Sequence, residues 1–237
     1  MDSDADIAAI AAAIGNRARA TILDRLMDGG ALPAGMLAAS ARVSPSTASV
    51  HLETLTEAGL VEVEPRGRQR RYRLARPEVA DAIEALAVIA PRRPVSTLRA
   101  ATAADRLRAG RTCYDHLAGR LGVGVTDALL ARGALRRRDR SFEVTRGGER
   151  VFGDLGIDLE AVGRRRRAFA LACLDWTERR EHLAGAIGAA VCDRLVELSW
   201  VDRRGPGRAV AATEDGVVGL IELGVDAATL DDHRLRR

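Results

Sequence analysis

Two groups of residues in this chain have the types and spacing to do chemistry. The first lies in VSPSTASVHLETLTEAGLVEVEPRGRQRRYRL, Val43 to Leu74. Ser44, Pro45, Ser46, Thr47, Ser49 and His51 open a predicted helix, and six arginines follow within eleven residues between Pro65 and Pro77. Hydroxyls at a helix N-terminus can meet phosphate, because the first backbone N–H groups lack helical partners and favour anions. Such a helix fits the major groove of duplex DNA, with its N-terminal residues at the base edges. Arg66, Arg68, Arg70 and Arg71 then fall on a predicted turn beside it, placed to follow the backbone or enter the minor groove. Glu53 and Glu57, further along the helix, would face away from phosphate or repel it.

The second group is Cys113, His116, Cys173 and His182. In CYDH the thiol and imidazole stand at i and i+3, read here as one helical face. Four such ligands make a tetrahedral site for zinc or another soft metal if they converge. The spacing is not a standard zinc signature, however. The plainer reading is buried cysteines as small hydrophobes, with each histidine donating to a backbone carbonyl or to Asp115, Asp175 or Glu181. No metal and no cofactor are therefore expected. The only tryptophans, Trp176 and Trp200, fill core or wall a small-molecule pocket. Cys113, His116, Cys173, Trp176 and His182 are accordingly the candidate effector contacts. The RRRR run at 164–167 is a solvated helix face or an anion contact.

Elements must position these groups. Asn16 and Ser44 are predicted N-caps of helices over 17–28 and from Pro45 onward. Pro33 is expected at the first position of a short helix, 34–40. Val50, Leu52, Leu55 and Ala58 form the predicted inner face of the recognition helix, which Gly59 ends. Short strands at Leu60–Glu64 and Arg70–Leu74 flank the turn PRGRQ, and a helix runs from Glu78 to Ile89. That order is a winged helix-turn-helix. Pro91 and Pro94 mark a boundary, giving domains at 1–92 and 96–230.

The second domain repeats itself. DHLAGRLGVGVTDALLARGAL (115–135) aligns without gaps to EHLAGAIGAAVCDRLVELSWV (181–201), and VTRGGERVFGDLGID (144–158) to ATEDGVVGLIELGVD (212–226). One supersecondary unit used twice is implied, with units at about 111–158 and 177–226. Each reads as long helix, two short strands and short helix, with Thr145 and Thr213 as N-caps. Gly119, Gly122, Gly185 and Gly188 are expected inside the long helices, where they let the two helices cross closely. Residues 158–178 are expected to be a connecting helix. The fold class is mostly α, with short β-hairpin wings and a duplicated, winged-helix-like C-terminal domain.

Composition bounds the rest. The 237 residues are 47% hydrophobic and only 3% aromatic, so the core is built from Ala, Leu and Val. All 37 basic residues are arginine and the net charge is +4, which permits an anionic partner. Three scattered cysteines make no disulfide framework. The acidic N-terminus is not a secretory signal and no stretch is long and apolar enough to span a bilayer, so a cytoplasmic protein is expected. With no phosphate loop, nucleophile elbow or HExxH, no enzyme is expected.

IGNRARATILDRLMDGGALPAGMLAASARVSPSTASVHLETLTEAGLVEVEPRGRQRRYRL resembles the DNA-binding domain of the ArsR family of bacterial repressors. Ser44, Ser46, Thr47, Ser49, His51, Leu52, Leu55, Ala58, Gly59, Leu60 and Val61 match its helix pattern, and Tyr72-x-Leu74 closes its wing. The resemblance covers roughly the first 90 residues. It implies a homodimer built on the first and last helices of the domain, binding double-stranded DNA, with repression relieved by a small inducer. The metal ligands many members carry on the third or last helix are missing from LPAGMLA and PEVADAIEALAVIAP. Sensing is thus expected in the C-terminal domain, which is similar to an extension of some ArsR-type regulators with C-Y-D-H-L-A-G and C-L-D-W-[ST]-E-R-R-x-H-L-A-G segments. The expected function is sequence-specific repression released by a small effector. The alternatives are a metal- or thiol-responsive sensor and a non-specific architectural DNA binder. Residues 1–95 hold twelve arginines against twelve acids, with the basic charge concentrated in the wing, which suits positioned recognition better.

Overall fold

Capping side chains set the helix starts of the N-terminal half. Asp6 accepts from the Ala9 N–H ahead of α1 (Ile7–Ile14), and Asn16 accepts from Ala18 and Arg19 ahead of α2 (Arg17–Leu26). The computed structural model describes residues 5–67, 69–91, 97–203 and 207–234. The chain divides into two units, Met1–Ile83 and Glu84–Arg237. Residues 92–96 of the expected linker lie outside the described residues.

In the first unit a two-residue strand, β1 (Leu32–Pro33), precedes α3 (Ala34–Ala41). Pro33 is therefore the N-cap and not the first helical residue, because its backbone is held extended against the wing. Arg42, in the left-handed region at φ 54°, turns the chain towards α4 (Pro45–Glu57). The Ser44 hydroxyl accepts from the Thr47 N–H, with Pro45 at the first helical position. Ala48, Leu52 and Leu55 form the buried stripe. Val50, expected inside, is 60% exposed, since two residues past Ala48 is the far side of a helix. Gly59, at φ +66°, ends α4. The hairpin of β2 (Val61–Arg66) and β3 (Gln69–Leu74) is longer than expected, pairing from Val61–Leu74 to Arg66–Gln69. Arg66 and Arg70 are thus strand residues. The sheet order is β1-β3-β2, and α5 (Pro77–Ile89) follows.

The second unit begins within α5 and continues through α6 (Leu98–Ala109), after which it uses one element order twice. The first pass is β4 (Arg111–Cys113), β5 (His116–Ala118), α7 (Gly119–Ala131), β6 (Leu135–Arg138), β7 (Ser141–Val144) and α8 (Arg146–Asp154). After α9 (Leu159–Gly163) come β8 (Leu171–Leu174), β9 (Glu181–Ala184), α10 (Gly185–Glu197), β10 (Val201–Arg203), β11 (Val210–Ala212) and α11 (Glu214–Glu222), then α12 (Ala227–Arg234). Thr145 caps α8 by accepting from Gly148, and Thr213 caps α11 by accepting from Gly216. Strands β6-β7-β8-β9 form one antiparallel sheet. One core runs through both passes, centred on Leu121, Leu129, Phe152, Ile187, Leu195 and Leu220.

Three expectations are corrected here. Cys113 and His116 lie on no helix: Tyr114, at φ 61°, folds β4 back on β5. The segment 158–178 is not one helix, since only α9 is helical and Leu171–Leu174 is claimed by pairing with β9. The glycines do not mark a crossing of the long helices. Gly119 and Gly185 begin α7 and α10 at φ +72° and +79°. A Cβ on Gly122 or Gly188 would lie 2.4 or 2.5 Å from the carbonyl oxygen of Leu117 or Leu183. Each helix folds back on the strand that leads into it, and only a hydrogen fits between.

Candidate nucleic-acid interface and cysteine–histidine cluster

The N-terminal end of α4 is open to solvent: Ser44, Pro45, Ser46, Thr47 and Ser49 are all exposed. Ser44 Oγ stands 2.9 Å from Ser46 Oγ and 2.8 Å from Thr47 Oγ1, so the hydroxyls form one chain anchored on the cap. Ser49 donates to the Pro45 carbonyl. Further along, His51 is half-buried, and its Nδ1 is buried without a hydrogen-bond partner. On the wing, Arg66 and Arg70 are exposed. Arg71 is not: it is half-buried and donates to the Ala31 carbonyl, so it braces the sheet. Arg73 pairs with Glu62 and Glu64. Arg68 lies outside the described residues.

The four Cys and His residues come together. Cys113 faces His116 across the β4–β5 hairpin, and Cys173 faces His182 across β8–β9. Directly opposed residues put side chains side by side on one face. The ligand atoms of all four lie within 4.8 Å of one another, and the two imidazole centroids are 5.1 Å apart. Cys113, His116 and His182 are buried and Cys173 is half-buried. The expectation that each histidine donates to a nearby backbone carbonyl or carboxylate holds at one nitrogen of His116 and not at His182. His116 Nδ1 meets Asp115 Oδ1 at 3.3 Å, but His116 Nε2 and both nitrogens of His182 are buried with no hydrogen-bond partner. Glu181, a suggested partner, pairs with Arg137 instead.

A buried charged network supports the cluster. Asp175 Oδ2 accepts from Arg111 Nη2 at 3.0 Å and from the Gly119 N–H at 2.6 Å, and stands 3.7 Å from His182 Nδ1. Its Oδ1 accepts from Thr177 and from the Glu178 N–H. Burial opposes its charge, but Arg111, Thr177 and these backbone donors hold the carboxyl down at about 2. The fully buried Arg111 guanidinium also lies over the Trp176 ring at 4.9 Å, with Glu84 Oε2 3.7 Å away. The Cys113 thiol is pushed well up by its hydrogen bond with Cys173 and by burial. Burial and the neighbouring His116 push His182 well down. Arg111 carried no signal in the sequence; only the folded register of Arg111 opposite Ala118 brings it beside Asp175. Trp176 thus stacks on a cation, whereas Trp200 lines a shallow cleft of about 190 Å³ with Arg132, Leu155 and Glu222.

A helix-turn-helix domain model matches residues 14–64, which contain α3 and α4. The uncharacterized HTH-type transcriptional regulator YdfF of Bacillus subtilis (strain 168) is 45% identical over 215 residues, spanning 91% of this chain and 95% of that protein. The chain belongs to the HTH-type transcriptional regulators. The match extends well past the DNA-binding unit, so the duplicated region is part of what this regulator shares with its relative. Two solved structures are similar to the regulator's N-terminal part. The homodimeric winged helix-turn-helix domain of Mb0332 from Mycobacterium bovis, a possible ArsR-family regulator, is 29% identical over 38% of this chain and 89% of its own, with a TM-score of 0.33. The cadmium metal-sensor CMTR of Mycobacterium tuberculosis is 33% identical over 39% of this chain and 100% of its own, with a TM-score of 0.32. No helix among the regulator's described residues is long and apolar enough to cross a membrane.

Proposed function

We propose that this regulator is a sequence-specific repressor, acting as a homodimer in the cytoplasm, that leaves its operator when the C-terminal unit responds to an effector. The observation that carries the DNA half of this reading is the exposed hydroxyl chain at the start of α4 beside the exposed wing arginines. Hydroxyls at a helix end read or anchor, while Arg66 and Arg70 neutralise phosphate. The regulator works by binding and not by catalysis: among the described residues its cysteine–histidine cluster is packed into the core, with Cys113, His116 and His182 buried. A metal- or thiol-responsive mode is the reading of the C-terminal unit that the convergence of Cys113, His116, Cys173 and His182 favours.

The test is the salt dependence of operator affinity. Each phosphate contact adds about 0.9 to the slope of log affinity against log salt. The double variant Arg66→Ala, Arg70→Ala is expected to bind more weakly and to lower the slope by about 1–2. An unchanged slope would take the wing off the DNA.

A further inference from the structure

We infer that Cys113, His116, Cys173 and His182 form a closed tetrahedral site for a thiophilic d10 cation of the zinc class, shared between the two repeats. Three independent observations converge on it. The first is composition: two sulfurs and two imidazoles, with no oxygen ligand among them, select a soft or borderline ion over calcium or magnesium. The second is geometry. A tetrahedron with Zn–S near 2.3 Å and Zn–N near 2.0 Å has ligand–ligand edges of about 3.3–3.8 Å. The four atoms already lie within 4.8 Å of one another, so side-chain rotations closing them by about an ångström complete the shell. The third is the unpartnered nitrogens. Buried polar atoms without hydrogen bonds are costly and rare, yet this core holds His116 Nε2 and both nitrogens of His182 in that condition.

The surroundings assign the ligating atoms. Asp115 occupies the Nδ1 side of His116, and the carboxylate of Asp175 stands on the Nδ1 side of His182. Both imidazoles are thus turned with Nε2 free for the ion, as carboxylates commonly do behind ligating histidines. Gly188 belongs to the same design: a Cβ there would meet His116 Cβ at 3.3 Å. On binding, the two thiols become thiolates and every proton held by the four ligands' binding atoms leaves to solvent, so that both histidines bind as neutral imidazoles. With four protein ligands and no open position, the ion pins hairpin β4–β5 to hairpin β8–β9 and offers no place for substrate. The assignment stands on these residues alone and does not depend on the repressor reading above.

The experiment uses the full chain, purified without a tag, stripped of metal and kept fully reduced, then titrated with cobalt(II) followed by zinc(II). The expected result is saturation at one ion per chain, with the intense ligand-field bands of tetrahedral cobalt, thiolate-to-cobalt charge transfer, and bleaching by zinc. Cys173→Ser, at the half-buried ligand, is expected to weaken binding at least ~10-fold and to halve the charge-transfer intensity. Cys192→Ala, removing the one cysteine outside the cluster, is expected to leave the spectrum unchanged. Octahedral cobalt only, no saturation at one ion, or a spectrum indifferent to Cys173→Ser would overturn the site. Operator binding is measured on the same preparations, so a failed metal site and a failed DNA reading are separate results.

Discussion

At the scale of single residues, Ser44 and Asp175 each do two things that can be pulled apart. Ser44 caps α4 and also starts the exposed hydroxyl chain proposed to face DNA. Ser44→Ala is expected to cost about 1 kcal/mol in denaturant unfolding, the usual value of a lost N-cap. Ser44→Asp keeps a cap and suits the helix dipole, so stability should hold, while its charge beside phosphate should weaken operator binding. If Ser44→Asp bound DNA as well as the parent, the helix end would not lie on the phosphates. Asp175 accepts five hydrogen bonds and pairs with a fully buried arginine. Asp175→Asn removes the charge that Arg111 needs, and breaking a buried pair from one side is expected to cost about 3–5 kcal/mol in the metal-free protein. A loss under about 1 kcal/mol would mean that Glu84 alone suffices for Arg111.

At the scale of elements, the tight turn from strand to helix is the device that repeats. Gly122→Ala and Gly188→Ala each push a methyl group into a carbonyl, and overpacking of this kind costs about 1–3 kcal/mol. Gly188→Ala should in addition weaken cobalt binding by shifting His116, which Gly122→Ala should do less. Gly153→Ala in α8 has nothing within 4 Å and should be neutral or stabilising by up to about 1 kcal/mol. Equal effects at 122, 153 and 188 in thermal unfolding would contradict the close-approach reading. The recognition helix was legible, because Ser44, Pro45 and the Leu52/Leu55 spacing are local signals of a helix start and a buried stripe. The wing was legible from its β-type residues and turn, though not its length. Strands β4, β5, β8 and β9 are hidden in the sequence: they are three or four residues long, and the Ala-, Leu- and Gly-rich run after them carries a helical period that masks the short strands before it. The i, i+3 spacing of Cys113 and His116 suits a helix as well as a tight hairpin, so it does not reveal their cross-strand pairing. Their meeting with Cys173 and His182 depends on contacts some sixty residues apart, which no local pattern encodes.

At the scale of the whole molecule, a local signal for DNA binding and a non-local cluster of ligands sit in separate units of one chain, 1–83 and 84–237. Arginine is spread through the sequence, but in the first 95 residues acids match it one for one, so general electrostatic attraction to DNA is weak there. What remains is positioned charge on the wing and positioned hydroxyls on α4, the combination on which the proposed preference for one sequence over others rests. The most direct test is the affinity of the full chain for the DNA upstream of its own coding region, against a shuffled duplex of equal length and composition, across several salt concentrations. The account predicts a preference of at least ~1,000-fold for the true duplex, within the range of specific binders, with both affinities falling as salt rises. Equal affinity for the two duplexes at every salt concentration would contradict it.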